Sequence, residues 1–512
     1  MSERVNDNVN ENVNGNLNGN ARSNPVDTSL PLVPWPSAVE TLDAPALRLS
    51  RVRVVAPDDE LAALAGELLE AAGSHPDSAA DVTLELRLDA AAGPAGSGGP
   101  DGSHGDERYT LRVDSDGVVA TAPERVGLLH AVRTLVQLLP DTSATGEPGV
   151  VPALVVHDAP RYPWRGLSFD VVRHFFGPED IRRVVDLVAA YKLRVLHLHL
   201  TDDQGWRIEL PSRPELVERS SQSQVGGGPG GYLTAAEFRA LQAYAAARFV
   251  TVVPEFDQPG HVNAATHAYG ELNVDGVPTD VYEGIGVGFS KLSYDLPATE
   301  PFLRDVVGDL ARLTDGPFVH VGGDEVHTMG PEEYGRFVEL TCRVVREAGK
   351  TPVMWQEGAN GPIEPGTLLQ YWDPKADPEP FVRAADAGAR YIISAAQHAY
   401  LDMKYTPDHP LGLHWAAYVE LRDAYDWEPE SVVAGLPADA VEGVSAAVWT
   451  ETLATRDELF SMLLPRLPAV AEVAWTAPER KDWEAFRARI AAHAPAWRAL
   501  GWAYHPTPQV DW

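Results

Sequence analysis

From Tyr162 onward the chain alternates short apolar runs with helical stretches, and this rhythm limits the fold more than any other feature. Eight runs read as strands: "RGLSFDV", "RVLHLHL", "FVTVVPEF", "PFVHV", "PVMWQ", "TLLQYW", "RYIISA" and "VSAAVW". Between most of them lie segments with helical patterning, such as "PEDIRRVVDLVAAYK" and "TAAEFRALQAYAAAR". Repeated βα units over this span fit a (β/α)8 TIM barrel, whose active site lies at the C-terminal ends of the strands. A doubly wound open sheet is the alternative, but the G-x-G-x-x-G turn expected after its first strand is missing.

At 512 residues the chain is too long for one compact core. Residues 1–28 form an Asn-rich polar arm, expected to be disordered. Residues 29–160 mix strand-like runs ("RVRVVAP", "DVTLELRLD", "RYTLRVDSDGVVATA") with two helix-like ones, "DELAALAGELLEAAG" and "RVGLLHAVRTLVQLLP". That mixture reads as a smaller α+β domain preceding the barrel of residues 161–512, which makes an α/β chain overall. Inside it, "AAAGPAGSGGPDGSHGDE" is expected to be a mobile surface loop. The arm has no apolar core of a secretory signal, and no run is long enough to cross a membrane. The expectation is a soluble cytoplasmic protein.

With 74 acids against 41 bases, the net charge of −33 works against binding nucleic acid or anionic lipid. The single cysteine, Cys342, lies in the amphipathic stretch "VELTCRVVREAG" and reads as a small buried hydrophobe.

Polar and aromatic residues gather at the strand ends. Asp170 and Arg173 follow the first strand, Asp202, Asp203 and Trp206 the second, and Glu255, Asp257 and His261 the third. Asp324 and Glu325 follow the fourth; Trp355 and Trp372 end the fifth and sixth. Tyr400 and Asp402 follow the seventh, and Trp449 and Glu451 close the eighth. Acids and aromatics at almost every strand end point to a pocket. Tryptophans beside acids suit a sugar, whose C–H faces stack on indole while its hydroxyls bond to carboxylates.

An Asp-Glu pair alone is usually a solvated turn. Behind Gly322 and Gly323 at the end of the fourth strand, it reads as part of the site. Adjacent side chains of an extended segment diverge, so these two cannot be the acid and nucleophile of a retaining pair about 5–5.5 Å apart across one bond. His197 and His199 in "HLHL" can be read as metal ligands or as packed histidines, and the packed reading is preferred because strand eight ends in "WTE". "VGGGPGGY" lacks the Lys-Ser/Thr ending of a phosphate loop and reads as a flexible loop at the pocket rim.

These residues together resemble glycoside hydrolase family 20, the β-N-acetylhexosaminidases. "HVGGDE" resembles its H-x-G-G-D-E signature, and "DVVRHFF", "LHLHLTDDQGWRIEL", "VVPEFDQPGH", "LDMKYT", "WTET" and "RLPAVAEVAW" follow in the family's order. The resemblance implies an exo-acting hydrolase of oligosaccharides ending in N-acetylhexosamine, with the substrate's 2-acetamido oxygen as nucleophile and no metal or organic cofactor. It implies Glu325 as general acid and base, Asp324 as the group that orients and stabilises the acetamide, and Tyr400 as a donor to the acetamido oxygen. Trp355, Trp372 and Trp449 would enclose the sugar. Arg173 would bind its O3/O4 side, and Asp402 and Glu451 its O4 and O6, with Trp415 nearby. Asp202 and His261 resemble the family's supporting pair. Glu357 in "WQEG" has no assigned role, and the Asn-rich arm is extra to the family core. Other readings are a catalytically silent carbohydrate-binding barrel, a two-carboxylate glycosidase and a metal amidohydrolase.

Overall fold

The computed structural model describes residues 30–94, 105–139 and 149–512; the Asn-rich arm and most of the Gly/Pro/Ser-rich loop lie outside them. Eight parallel strands close into a barrel: β1 Trp164–Asp170, β2 Val195–His199, β3 Thr251–Glu255, β4 Phe318–His320, β5 Thr351–Trp355, β6 Leu368–Tyr371, β7 Arg390–Ile393 and β8 Val441–Val448. β8 pairs with β1 to complete the ring. All eight coincide with the runs read from the sequence.

The helices around the barrel begin where their sequences can satisfy free backbone N–H groups. Pro178–Ala190 starts with Pro178 and carries Glu179 and Asp180 in its first turn, against the positive end of the helix dipole. Ala235–Ala247 opens on a capping box between Thr234 and Glu237. Their apolar faces, such as Ile181, Val184, Val185 and Val188, are buried against the strands.

Inside the ring the side chains form layers. At the N-terminal end Trp164, Val195, Val253, Phe318, Val353, Leu368 and Ile392 make a separate apolar plug. Side chains alternate along a strand, so residues two further on face the same interior. Those residues are His197, Glu255, His320, Trp355, Gln370 and Ser394, all buried. The barrel interior therefore turns from apolar to polar within one step along the strands, and the site is built on that step.

The first domain is a seven-stranded mixed sheet in the spatial order Ala38–Thr41, Leu154–Asp158, Tyr109–Asp114, Gly117–Ala122, Thr83–Leu88, Arg51–Val55, His75–Pro76. Helices Asp59–Ala71 and Arg125–Leu138 accompany it. Helix Arg125–Leu138 is buried along most of its length: Leu128, Leu129, Val132 and Leu135 pack in the sheet's core, while Arg133 donates to the carbonyl of Arg248. Charges join the two domains. The buried Glu107 carboxylate lies 2.7 Å from Arg194 Nη1, 2.8 Å from His130 Nε2 and within hydrogen-bond reach of Arg165. Asp158 accepts from Tyr109 at 2.7 Å, Lys192 at 3.0 Å and Trp475 Nε1 at 2.9 Å.

Burial alone would push the Glu107 carboxyl up, but Arg165 and Arg194 hold it well below the usual carboxylate range. Glu107→Gln is expected to lower stability by about 3–5 kcal/mol, because it leaves buried cations facing no charge. A depressed carboxyl contributes stability above its unfolded value of about 4.3 and loses it as pH falls through the folded value. The difference in thermal midpoint between wild type and variant should therefore be full at pH 7 and narrow below about pH 4. Equal melting at pH 7 would contradict this.

Candidate active site

The C-terminal ends of the strands converge on one pocket. Asp170, at the end of β1, accepts from the backbone of Val172 at 2.7 Å and of Thr450 at 2.9 Å, which ties β1 to the segment after β8. That turn aims Arg173 inward, where its Nη2 lies 2.7 Å from Asp202 Oδ2 and its guanidinium stands 5.0 Å over the Trp449 ring. Arg173 Nε and Nη1 are buried without a hydrogen-bond partner. Burial opposes the charge of Arg173, but Asp202, Asp170 and Glu451 more than restore it.

A line of bonded acids and imidazoles runs from the barrel interior to the dyad. His199 on β2 lies 2.6 Å from Glu255 through Nδ1 and 2.8 Å from Asp202 through Nε2. The other Asp202 oxygen is 3.0 Å from His261 Nδ1. His261 Nε2 then faces both members of the dyad, 3.4 Å from Glu325 and 3.9 Å from Asp324. Burial would strip the proton from His261, but Asp202, Asp324 and Asp257 raise it well above its ordinary value, so it is an imidazolium. Asp202 is held well below the carboxylate range against its own burial, chiefly by Arg173 and His261.

The dyad departs from the extended geometry expected above. Gly322 has φ 61°, Gly323 has φ 108° and Glu325 itself has φ 49°, all in the left-handed region. The chain therefore folds back on itself, and both carboxyls approach the same imidazole nitrogen instead of diverging. Only glycine fits at 322, where a Cβ would lie 1.6 Å from Asp257 Oδ1. The turn is held from inside by the Gly323 N–H to Asp257 at 3.1 Å and from outside by the Tyr334 hydroxyl to the Gly323 carbonyl at 2.7 Å. Burial, then Asp324, pushes the Asp257 carboxyl well above its ordinary range. Burial also raises Asp324, with the His261 charge opposing.

Aromatic rings wall the pocket. Trp355 is fully buried and its Nε1 donates to Glu255 at 2.8 Å; Trp372 Nε1 donates to Glu357 at 3.2 Å. Trp372 and Tyr400 lie nearly parallel with centroids 6.4 Å apart, Trp415 stands edge-on to both, and Trp449 lies against Trp355 and Tyr400. Burial, then Asp402 and Asp324, keeps the Tyr400 hydroxyl protonated. Asp402 is raised well above the usual carboxylate range by burial and then by Glu451, and both its oxygens are buried without a hydrogen-bond partner. Glu451 is raised by burial while Arg173 opposes.

The structure thus brings the expected residues together at the C-terminal ends of the strands, most of them buried and Trp415 exposed. Glu357 has a structural partner in Trp372. His197 and His199 are both buried: His197 Nδ1 bonds Ser168 at 2.8 Å while its Nε2 lies 3.0 Å from Glu255, and His199 bonds Glu255 and Asp202. The glycine-rich loop is held rather than flexible: Arg207 donates to the Gly231 carbonyl and, just ahead of the loop, to those of Ser221 and Ser223. The sequence reading placed Glu255 among the strand-end acids but gave neither it nor His199 a catalytic or binding role. They stand opposite each other in the β2–β3 register, a pairing visible once "HLHL" and "VVPEF" are aligned as neighbours.

Comparison with known proteins supplies the frame for this geometry. The model of the glycosyl hydrolase family 20 catalytic domain matches residues 162–333 and 331–478, and that of the family's domain 2 matches residues 29–159. A β-N-acetylhexosaminidase of Cellulomonas fimi is 52% identical over 493 residues, covering 94% of this chain and 97% of that protein. A mutant Streptomyces plicatus β-hexosaminidase, solved in complex with product GlcNAc, superposes with a TM-score of 0.87 at 42% identity, covering 96% of this chain and 99% of that one. The family 20 β-N-acetylhexosaminidase of Streptomyces coelicolor A3(2) gives a TM-score of 0.87 at 40% identity, covering 96% and 100%.

The fit at Gly322 is directly testable. Gly322→Ala should displace the dyad from Asp257 and lower kcat for glycoside hydrolysis by about 10²-fold or more, with the far-ultraviolet spectrum unchanged. Near-normal turnover would show that the turn tolerates the methyl group.

Proposed function

Because the chain belongs to glycoside hydrolase family 20, we propose that it removes terminal, non-reducing β-linked N-acetylhexosamine from oligosaccharides, with retention at C1 and the substrate's own acetamide as nucleophile. It is a glycoside hydrolase by its family and its relatives. The observation that carries the mechanism is the convergence of Asp324 and Glu325 on the same nitrogen of His261. Adjacent residues on one turn, both turned toward one nitrogen, suit a division of labour in which one carboxyl serves the leaving oxygen and the other the acetamide.

In the first step Glu325 gives its proton to the leaving oxygen as the C1–O bond breaks. The acetamido carbonyl oxygen closes onto C1, forming an oxazolinium. Asp324 accepts the acetamido N–H, which fixes that oxygen below C1, and its carboxylate faces the positive charge that develops on the ring. Tyr400, a protonated phenol, donates to the acetamido oxygen. In the second step Glu325, now a carboxylate, takes a proton from water as it attacks C1, and the oxazolinium opens to the retained sugar. Water is the only co-reactant.

The remaining residues grip the sugar. The unpartnered donors of Arg173 suit paired hydroxyls, and the unpartnered oxygens of Asp402 suit hydroxyl donors, with Glu451 beside them. Trp355, Trp372 and Trp449 offer ring faces and edges to the C–H surfaces and exclude water from the reacting amide. His261 couples the pair to Asp202, and its charge favours the carboxylate form of Asp324 against burial.

An aryl β-N-acetylglucosaminide should be hydrolysed with retention, read by NMR of the first-formed anomer, and a thiazoline mimic of the intermediate should inhibit. Equal turnover of the plain β-glucoside would sink the acetamide mechanism. Glu325→Gln should lose about 10²–10⁴-fold with poor leaving groups and far less with activated ones. Asp324→Ala should lose about 10²–10³-fold whatever the leaving group. If both variants stay near wild type, the dyad is misassigned; sugar binding without turnover would support a silent binding barrel instead.

A further inference from the structure

Residues 273–298 join the end of the β3 region to helix Thr299–Leu313 without helix or strand, a long span for a compact domain and the kind that usually carries function. Its tip is apolar yet open to solvent: Ile285 is 50% exposed, Val287 39% and Phe289 47%. Between the last two, Gly288 is buried, with φ 76°. A Cβ there would lie 2.5 Å from His327 and 3.0 Å from the backbone carbonyl oxygen of Glu325. The loop therefore touches down on the catalytic turn itself and holds an exposed apolar side chain on either side of that contact.

The tip is also fixed. The Tyr282 hydroxyl accepts from the Gly286 N–H at 2.7 Å, and its ring lies 4.6 Å from that of Phe289. Gln204 donates to the Gly284 carbonyl at 2.9 Å, the Gly226 N–H to the Glu283 carbonyl at 2.8 Å, and the Ser290 hydroxyl to Asp203 at 2.5 Å. Apolar side chains on a backbone tied at so many points are preorganised, so a ligand packing on them orders little.

The position relative to the dyad says what that ligand is. Of the two catalytic carboxyls, Glu325 is the more open, 26% exposed at its side chain against 12% for Asp324. In the hexosaminidase reading Glu325 faces the leaving group, and the loop packs on the backbone of that same residue at Gly288. Resting on the hexosaminidase reading above, we propose that Ile285, Val287 and Phe289 form the binding surface for the first sugar of the leaving group. The sugar it fits is a neutral β-linked pyranoside, whose equatorial hydroxyls leave a C–H face to pack on apolar side chains. Glu283 beside the tip and the net charge of −33 repel an anionic leaving group.

The test compares two substrates of the full chain: the β-1,4-linked disaccharide of N-acetylglucosamine, and N-acetyl-β-glucosaminyl fluoride, whose leaving group is too small to touch the loop. For the double variant Val287→Ser, Phe289→Ser, the ratio of kcat/KM for the disaccharide to that for the fluoride should fall about tenfold. Both positions are exposed, and a thermal melt confirms that the variant folds. An unchanged ratio overturns the subsite. So does a wild-type dimer, by sedimentation, that the variant splits without altering the ratio, since the patch would then belong to a second copy of this chain. A wild-type chain that cleaves neither substrate removes the hexosaminidase reading itself, and the subsite with it.

Discussion

One carboxylate organises the pocket. Glu255, on β3, is surrounded by four ring nitrogens: His199 Nδ1 and His197 Nε2 at 2.6 and 3.0 Å from one oxygen, Trp355 Nε1 and His320 Nδ1 at 2.8 and 3.0 Å from the other. A bare carboxylate in the centre of a barrel is prohibitively expensive, and this one persists because both oxygens are engaged and imidazoles surround it. Burial alone would neutralise it, yet His320, His199 and His197 hold it well below the carboxylate range. From Glu255 one branch fixes Trp355 in the pocket wall. The other runs through His199, Asp202 and His261 to the dyad. The wall and the proton-transfer machinery thus hang from the same side chain, one step above the apolar plug.

The first domain keeps that platform rigid from below. Its helix Arg125–Leu138 is pressed between sheet and barrel, and Glu107 and Asp158 each reach cations carried by the barrel's N-terminal end. Arg165 and Lys192, which meet those acids, belong to β1 and to the turn that precedes β2. The strand ends that carry Asp170 and His199 are therefore anchored at their opposite ends by buried ion pairs. Buried pairs add little net stability, but they penalise any other arrangement of the two domains.

Much of this was legible in the sequence, for a physical reason. The barrel strands are short, buried runs punctuated by helical segments, and polar residues appear where each run ends; the eight strands and the residues after them followed from that rhythm alone. The dyad was read as following the fourth strand on an extended backbone, and the backbone differs. Gly322 and Gly323 announce a turn, whereas nothing announces that Glu325, a residue with a Cβ, also takes φ 49°. Glu255 appeared as one more acid after a strand, because its partners come from three other strands and only register brings them together. Glu357 gave no signal of its function: its partner Trp372 belongs to the next βα unit, and the bond between them depends on how the turn after β5 coils.

The line from the plug to the dyad alternates in sign: Glu255 is held as an anion, His199 as a cation, Asp202 as an anion and His261 as a cation. Each charge is tolerated in a dry interior only because its neighbours cancel it. A single replacement that adds or removes a charge would leave a neighbour uncompensated at several kcal/mol, roughly the order of a whole domain's stability. Two coordinated replacements, acid and imidazole together, would leave the balance intact. In descendants of this chain, these four positions should therefore drift in linked pairs or stay fixed.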